Sequence, residues 1–196
     1  MVKLTKLEQL LIEVRSCTVC HKELPLEPNP VLRAKRAARI LVIGQAPGVK
    51  VHESGIPWND PSGKRLRMWL NVTDDAFYDE TKIAIIPMGF CYPGKGNSGD
   101  LPPRKECAEL WHQKLLNQLP NIKLTLLIGQ YAQKYYLTKT EATLAQTVKA
   151  WQTYGPKFFP LPHPSPRNTR WFKNNSWFES KTIPQLRKKV RSALKD

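Results

Sequence analysis

The stretch ILVIGQAPG, residues 40–48, decides the fold of this chain. Four consecutive branched apolar residues that end in a glycine are typical of a buried parallel strand followed by a tight turn. Gly44 and Gly48 permit close backbone geometry in this turn, and Pro47 restricts it. The pattern also occurs in ordinary turns between a strand and a helix. Its functional interpretation is that the loop backbone and the Gln45 side chain approach a flat polar ring.

The rest of the chain alternates strands and helices. Apolar runs predict three further strands, at 83–86, 124–128 and 158–161. Apolar residues at helical spacing predict helices at 4–16, from a Ser62 cap through Leu70, at 106–119, at 131–137 and from Ile183 onward. This order predicts a single domain over residues 1–196 with an α/β fold, in which three α/β/α layers enclose a central, mostly parallel four-stranded sheet.

Three segments between these elements are predicted as loops, at 21–37, 49–61 and 92–104, the first and last because they are rich in proline or glycine. In parallel α/β folds, sites lie at the carboxyl ends of the strands. The loops that follow the first and the last strand are therefore the candidate site.

A second candidate loop is LPHPSPR, residues 161–167. Its three alternating prolines exclude helix and sheet bonding and stiffen the backbone. His163 and Ser165 stand between them with little freedom to move, which suits a hydrogen-bond donor held against a substrate. The alternative interpretation is a surface histidine in a proline turn. Pro166, Arg167 and Arg170 begin a basic and aromatic segment that suits phosphate contact and base stacking, or whose aromatic residues pack under the last helix.

The charge of the chain favours a polyanionic partner. Thirty-one Lys and Arg residues against 16 Asp and Glu give a formal net charge of +15. Such an excess favours nucleic acid, whereas a membrane surface would need a basic amphipathic helix with a bulky apolar face. No stretch approaches the roughly 18 apolar residues of a membrane span. The N-terminal segment has acidic residues and no small-residue cleavage site, so we expect a helix there and a cytoplasmic protein.

Four cysteines form one close pair, Cys17 and Cys20, and one pair separated by 15 residues, Cys91 and Cys107. In a reducing compartment, four thiols favour a metal site over two disulfides. Zinc and an iron–sulfur cluster both accept four thiolates, and the wide second pair favours the cluster. Four unrelated buried thiols are the remaining alternative.

Together these features resemble the family 4 uracil-DNA glycosylases, the iron–sulfur branch of the uracil-DNA glycosylase superfamily. The family's first motif, G-E-A-P-G, corresponds to residues 44–48, and its second, which begins H-P, corresponds to His163-Pro164. The four cysteines follow the family's order and spacing. The segment GIPW, residues 55–58, is similar to the family's G-x-P-F, whose aromatic residue stacks on uracil. The resemblance spans roughly residues 7 to 175.

The resemblance implies a DNA glycosylase of base excision repair that hydrolyses the N-glycosidic bond of a flipped-out uracil or other deaminated base. It implies a monomer that acts on single-stranded or damaged duplex DNA and holds a [4Fe–4S] cluster on Cys17, Cys20, Cys91 and Cys107, with zinc as the alternative. The implied catalytic residues are His163 and Gln45. The implied substrate-binding residues are Gly44, Ala46, Pro47, Gly48, Trp58 and Ser165, and the implied DNA-binding residues are Pro166, Arg167 and Arg170.

The chain departs from the family at two places. Gln45 and Ala46 stand where several branches of the superfamily have a carboxylate. Pro87 stands where family 4 carries an asparagine that reads the uracil edge. These departures leave open the alternative of a DNA-binding protein that has the glycosylase fold without catalysis. A metal-bearing RNA-binding protein is a third interpretation, which does not explain the two loops.

Overall fold

A computed structural model describes residues 3–97 and 99–195 of the chain. The strands, in chain order, are β1 (Ile40–Ile43), β2 (Ile83–Ile85), β3 (Lys95–Gly96), β4 (Gly99–Asp100), β5 (Leu124–Ile128) and β6 (Phe158–Leu161). Four of them form one sheet in the order β2-β1-β5-β6, and all three pairings in it are parallel. The predicted α/β fold with a central four-stranded sheet is confirmed.

The helices are short apart from the first, third and last. They are α1 (Lys6–Arg15), α2 (Val49–Ser54), α3 (Pro61–Leu70), α4 (Asp74–Tyr78), α5 (Lys105–Cys107), α6 (Gln113–Leu116), α7 (Gln130–Tyr136), α8 (Leu144–Lys149), α9 (Thr169–Asn174) and α10 (Ile183–Leu194). A π-helical stretch, Ala108–His112, joins α5 to α6. None of these helices has the length and apolar character needed to cross a membrane.

The two faces of the sheet bury two separate apolar clusters, because successive strand side chains point to opposite faces. Ile40 and Val42 pack with residues of α3 and α10 in one cluster. Leu41 and Ile43 pack with residues of α1 and α7 in the other. Every residue of β1 is buried, as expected for a strand covered on both faces.

Local predictions differ from the structure at several boundaries. Asp60, not Ser62, caps α3, because the Asp60 Oδ1 atom accepts a hydrogen bond from the Gly63 backbone N–H at 2.8 Å and Pro61 takes the first helical position. The predicted loop 49–61 contains α2. The predicted loop 92–104 contains the β3–β4 hairpin, and the predicted helix 106–119 is a helical run over 105–116.

The carboxyl ends of β5 and β6 are held together by hydrogen bonds to a buried side chain. The Gln133 Nε2 atom donates to the carbonyl oxygens of Leu161, at 2.9 Å, and Leu127, at 3.2 Å. The Gly129 N–H also donates to Leu161 O at 2.9 Å, and its φ of 83° is a conformation that favours glycine. The loop after β6 therefore leaves the sheet from a fixed point.

Candidate functional site

The two predicted loops meet at a cavity of about 430 Å³ at the carboxyl edge of the sheet. Ten of the predicted site residues line it: Gly44, Gln45, Ala46, Pro47, Gly48, Trp58, His163, Ser165, Pro166 and Arg167. Arg170 does not line the cavity and lies exposed on α9. The topology brings together segments that are more than 100 residues apart in the chain.

Trp58 is the aromatic wall of the cavity. A Cβ atom on Gly44 would lie 2.8 Å from Trp58 Cζ2, so the indole ring rests directly on the glycine of the first loop. The Trp58 backbone has a φ of 59°, a costly conformation for a residue with a side chain. Its carbonyl group is packed against Gly63, where a Cβ atom would lie only 1.7 Å from the oxygen. This carbonyl also accepts a hydrogen bond from the Arg67 guanidinium at 3.2 Å.

His163 lies beside Trp58 in the cavity wall, with 5.6 Å between ring centroids and a tilt of 32°. The Ser165 backbone N–H lies 3.2 Å from Nδ1 of His163 and donates to it. The neutral ring therefore carries its proton on Nε2, which is left as a donor. The His163 carbonyl accepts from the Asn168 side chain at 2.8 Å, so the loop is held on both sides of the imidazole.

Burial lowers the pKa of His163, and the negative charge of Asp60 opposes this shift. Burial dominates because an imidazolium ion loses more hydration than the neutral ring when it leaves water. The ring is therefore neutral at neutral pH and is suited to donate one hydrogen bond from Nε2. It does not act as a fixed positive charge.

Helix α3 holds the second loop through a basic side chain. The Arg65 Nη1 atom donates to the carbonyl oxygens of Pro164, at 3.3 Å, and Ser165, at 3.1 Å. The same guanidinium lies over the Phe172 ring, 5.1 Å from its centroid. Sequence analysis missed Arg65, because its partners lie about 100 residues away and no local pattern marks the contact.

Gln45 is anchored on the other side of the cavity. Its Nε2 atom donates to the Leu101 carbonyl oxygen at 2.9 Å, and its amide oxygen has no hydrogen-bond partner among the described residues. Its backbone carbonyl accepts from the Gly89 N–H at 2.9 Å. The Gln45 side chain therefore joins the first loop to the segment that follows the β3–β4 hairpin.

Two carboxylates that the sequence analysis missed also line the cavity, Asp60 and Asp100. Asp60 follows Trp58 closely, and a D-P-S sequence is a helix-start signal that marks it as a cap. Nothing in the sequence marks Asp100, because the segment around it is predicted as a loop. Partial burial raises the pKa of Asp100 and the charge of Asp60 adds to this, whereas Arg167 and Lys95 oppose it.

Pro87 lies in the cavity wall at the position where the resembling family has asparagine. A proline has no N–H, and the Pro87 carbonyl lies 3.0 Å from Nε2 of the buried His112. Nδ1 of His112 contacts the Tyr136 hydroxyl group. Burial lowers the pKa of His112 to about 4, so the ring is neutral and Nε2 donates to Pro87. The wall at Pro87 therefore offers the cavity an apolar ring.

The aromatic residues after the second loop pack with one another. Trp171 lies 5.3 Å from Phe172 and 5.6 Å from Phe178, measured between ring centroids. Phe172 and Phe178 both contact Trp69 of α3 edge to face. These rings support the helices behind the cavity, while Arg167 and Arg170 remain exposed. The sequence of this segment suits either a base-stacking surface or aromatic residues packed under the last helix. The structure shows the second arrangement for these aromatic residues.

All four cysteines line one small apolar cavity of about 20 Å³, and none is in a disulfide. Burial raises the pKa of Cys91 to about 11 and that of Cys107 to about 12. The Phe90 N–H donates to the Cys107 sulfur at 3.4 Å. Within the described part of the chain, no three or more His, Cys, Asp or Glu side chains are grouped so that they could hold a metal ion.

The thiol cavity and the larger cavity are lined by adjacent residues of one chain segment. Pro30 lines the thiol cavity, and the next residue, Val31, lines the larger one. The Val31 N–H donates to the Phe90 carbonyl oxygen at 2.8 Å. The packing of the cysteine region therefore supports one wall of the larger cavity.

Comparison with known families identifies a family to which the chain is similar. The family model described as the uracil DNA glycosylase superfamily matches residues 33–187. The matched range covers most of the chain and includes both loops of the cavity, Trp58 and the central sheet.

Proposed function

Since the chain belongs to the uracil-DNA glycosylase superfamily, we propose that it is a DNA glycosylase that hydrolyses the N-glycosidic bond of a deaminated base flipped out of DNA. The observation that carries this proposal is the meeting of the two loops at one cavity, where His163 presents an Nε2–H donor beside the Trp58 ring.

In this reaction the base leaves as an anion while the sugar gains positive charge. Trp58 provides a flat apolar surface on which the base stacks. His163 donates from Nε2 to a base oxygen as negative charge develops there. Because the ring is neutral and held by the Ser165 N–H, the donor is in place before the reaction begins. A preorganised donor of this kind is worth roughly 10²–10³ in rate.

The identity of the base depends on the groups that line the cavity. Uracil is the first candidate because of the superfamily and Trp58. The apolar ring of Pro87 replaces an amide reader, so we propose that the loop backbone at Ala46 and the free amide oxygen of Gln45 contact the base edge. This arrangement leaves hypoxanthine and xanthine as further candidates.

Exposed basic residues near the cavity suit the phosphates of the opened strand. Lys50 and Arg167 line the cavity, and Arg170 lies close by on the following helix. We propose that Arg167 and Arg170 contact the DNA backbone, which would make binding sensitive to salt. Pro166 stiffens the loop between them and His163.

An excision screen tests the proposal. Oligonucleotides that contain uracil, hypoxanthine, xanthine or mismatched thymine, single- and double-stranded, are incubated with the protein and cleaved with alkali. We expect cleavage at uracil or at another deaminated base. Salt-sensitive DNA binding with no excision of any base would instead select the non-catalytic DNA-binding protein, which the carboxylate-free first loop favours.

We propose further that Cys17, Cys20, Cys91 and Cys107 hold a [4Fe–4S] cluster, as in the iron–sulfur branch of the superfamily. Four free thiols around one apolar cavity support this donor set. A cluster spreads its ligands around several iron and sulfide atoms, so its cysteines stand farther apart than those of a single ion. The Phe90 N–H to Cys107 hydrogen bond is the kind of contact that stabilises a ligand sulfur. The cluster would stabilise the fold beside the cavity.

The cofactor can be identified by elemental analysis. Protein purified without air should be brown and contain equal amounts of iron and acid-labile sulfide, and Cys107→Ser should lose both. A colourless protein that contains zinc would overturn the cluster assignment.

A further inference from the structure

Hydrolysis of an N-glycosidic bond is helped by a negative charge beside the sugar, and the first loop does not provide one. The sugar becomes an oxocarbenium-like cation, and enzymes that pass through such cations usually place a carboxylate beside them. Gln45 and Ala46 carry no negative charge, and an amide does not accept a proton near neutral pH. The His163 Nε2 donor serves the leaving base. A group that faces the sugar and the attacking water must come from elsewhere in the cavity wall.

Asp100, at the end of the β3–β4 hairpin, is in a suitable position. Its side chain lines the cavity beside the first loop, where its Oδ2 atom would be 3.5 Å from a Cβ atom built on Gly48. The two neighbours of Asp100 in the chain lie against the two loops, Gly99 against the second loop and Leu101 against the first. A Cβ atom on Gly99 would lie 3.3 Å from the Arg167 guanidinium, and the Leu101 carbonyl accepts the Gln45 hydrogen bond at 2.9 Å.

The Asp100 carboxylate is available for a ligand. Among residues 3–97 and 99–195, no hydrogen-bond donor is within bonding distance of it, although Arg167 and Lys95 are close enough to act on its charge. Asp60, the other carboxylate in the cavity, has its Oδ1 atom bound to the Gly63 N–H as the cap of α3. Asp60 therefore has one carboxylate oxygen engaged in the helix cap, whereas neither oxygen of Asp100 is engaged by a donor among the described residues.

We propose that Asp100 is the catalytic carboxylate of this site and takes the place of the acidic residue that other branches carry in the first loop. This inference rests on the proposed glycosylase function. The bond between sugar C1′ and the base nitrogen breaks, and its electron pair leaves with the base. The water oxygen forms the new bond to C1′, and the proton that the water loses passes to the Asp100 carboxylate and from there to the solvent.

An affinity measurement tests the charge at the sugar position without requiring turnover. Duplexes are prepared with two abasic analogues, a pyrrolidine ring that carries a positive charge and a neutral tetrahydrofuran ring. We expect the wild-type protein to bind the cationic analogue about tenfold or more tightly than the neutral one. Asp100→Asn should reduce this preference to about twofold or less and leave binding of the neutral analogue equal or slightly tighter. Asp100→Glu should restore most of the preference.

Glu53→Gln is the matched control. It removes the same charge from an exposed position on α2 that does not line the cavity, so the preference for the cationic analogue should persist. Equal affinity of the wild type for both analogues, or an unchanged preference in Asp100→Asn, would overturn the assignment. If the wild type keeps the preference but excises none of the bases in the screen, the glycosylase proposal fails while the assignment of Asp100 as a cation-facing carboxylate stands.

Discussion

His163 acquires its chemical character from its immediate neighbours. A free histidine titrates near neutral pH and can carry its proton on either nitrogen. In this loop the Ser165 N–H occupies Nδ1, and burial lowers the pKa, so one neutral form with the proton on Nε2 remains. The stiff proline backbone on both sides keeps this donor aimed at the cavity.

His163→Ala should lower the excision rate by roughly 10²–10³-fold, because the leaving base loses its preorganised donor. Single-turnover assays on the base identified by the screen measure this effect. Thermal unfolding should change little, since the ring lies at the cavity wall and not in either apolar cluster. An excision rate equal to that of the wild type would show that His163 has no catalytic role.

The backbone conformation of Trp58 requires a glycine at position 63. Its left-handed backbone brings its carbonyl group against Gly63, with no room for a side chain there. We expect Gly63→Ala to lower the free energy of unfolding by about 1–3 kcal/mol, because the new methyl group must displace the Trp58 backbone. Urea denaturation followed by circular dichroism measures the change.

Gly48→Ala is the control for this substitution. Among the described residues, a Cβ atom on Gly48 would meet only Asp100 Oδ2, at the ordinary contact distance of 3.5 Å, so the free energy of unfolding should stay close to that of the wild type. Equal losses in the two variants would mean that glycine flexibility, and not the contact with Trp58, explains the effect.

At the scale of elements, α3 organises the site. Its cap Asp60 lines the cavity, Gly63 accommodates Trp58, Arg65 binds the second loop, and Arg67 binds the Trp58 carbonyl. One helix therefore positions the aromatic wall and the histidine loop together. The two loops leave the carboxyl edge of the sheet, and α3 fixes the positions of Trp58 and the histidine loop relative to each other.

Arg65→Met should lower the excision rate by roughly 10- to 100-fold, because the second loop loses two hydrogen bonds and His163 moves relative to the base. Lys64→Met is the matched control, since it removes one positive charge from the adjacent exposed position without a bond to the loop. Both variants should lose a similar amount of affinity for undamaged DNA. A similar loss of excision rate in both would mean that Arg65 acts by charge alone.

At the scale of the whole molecule, His112 connects the helical run over 105–116 to the cavity wall. It is 1% exposed, stacks on Phe90, and donates to the Pro87 carbonyl at 3.0 Å. Its folded pKa of about 4 is below the ordinary histidine value of 6.5. Between these values the unfolded chain binds a proton that the folded chain does not, so the folded state loses stability as the pH falls.

The free energy of unfolding should therefore decrease as the pH falls from about 6.5 towards 4. In His112→Phe the decrease over this window should be smaller, because the variant has no imidazole to protonate in the unfolded state. Urea titrations at several pH values measure both slopes. Should His112→Phe fail to fold, NMR titration of the wild type should show a His112 ring that is still neutral at about pH 5. Protonation near the ordinary value would contradict the prediction.

The sequence by itself determined the layers of the fold and the two loops of the candidate site. Apolar runs such as residues 40–43 can be recognised locally, because a strand buried on both faces needs consecutive apolar side chains. The loops at 44–48 and 161–167 follow directly from the ends of such strands. Chain topology then requires them to meet at one edge of the sheet.

Only the tertiary structure decided which other groups line the cavity or hold its loops in place. Asp100 and Arg65 lie in segments whose local sequence marks a loop and a helix face, and neither pattern indicates a site. Their roles arise from contacts between parts of the chain that are far apart, such as the Gln45 bond to Leu101 and the Arg65 bonds to the second loop. Such contacts depend on how the hairpin and α3 pack on the sheet, and this packing cannot be predicted from a local sequence pattern.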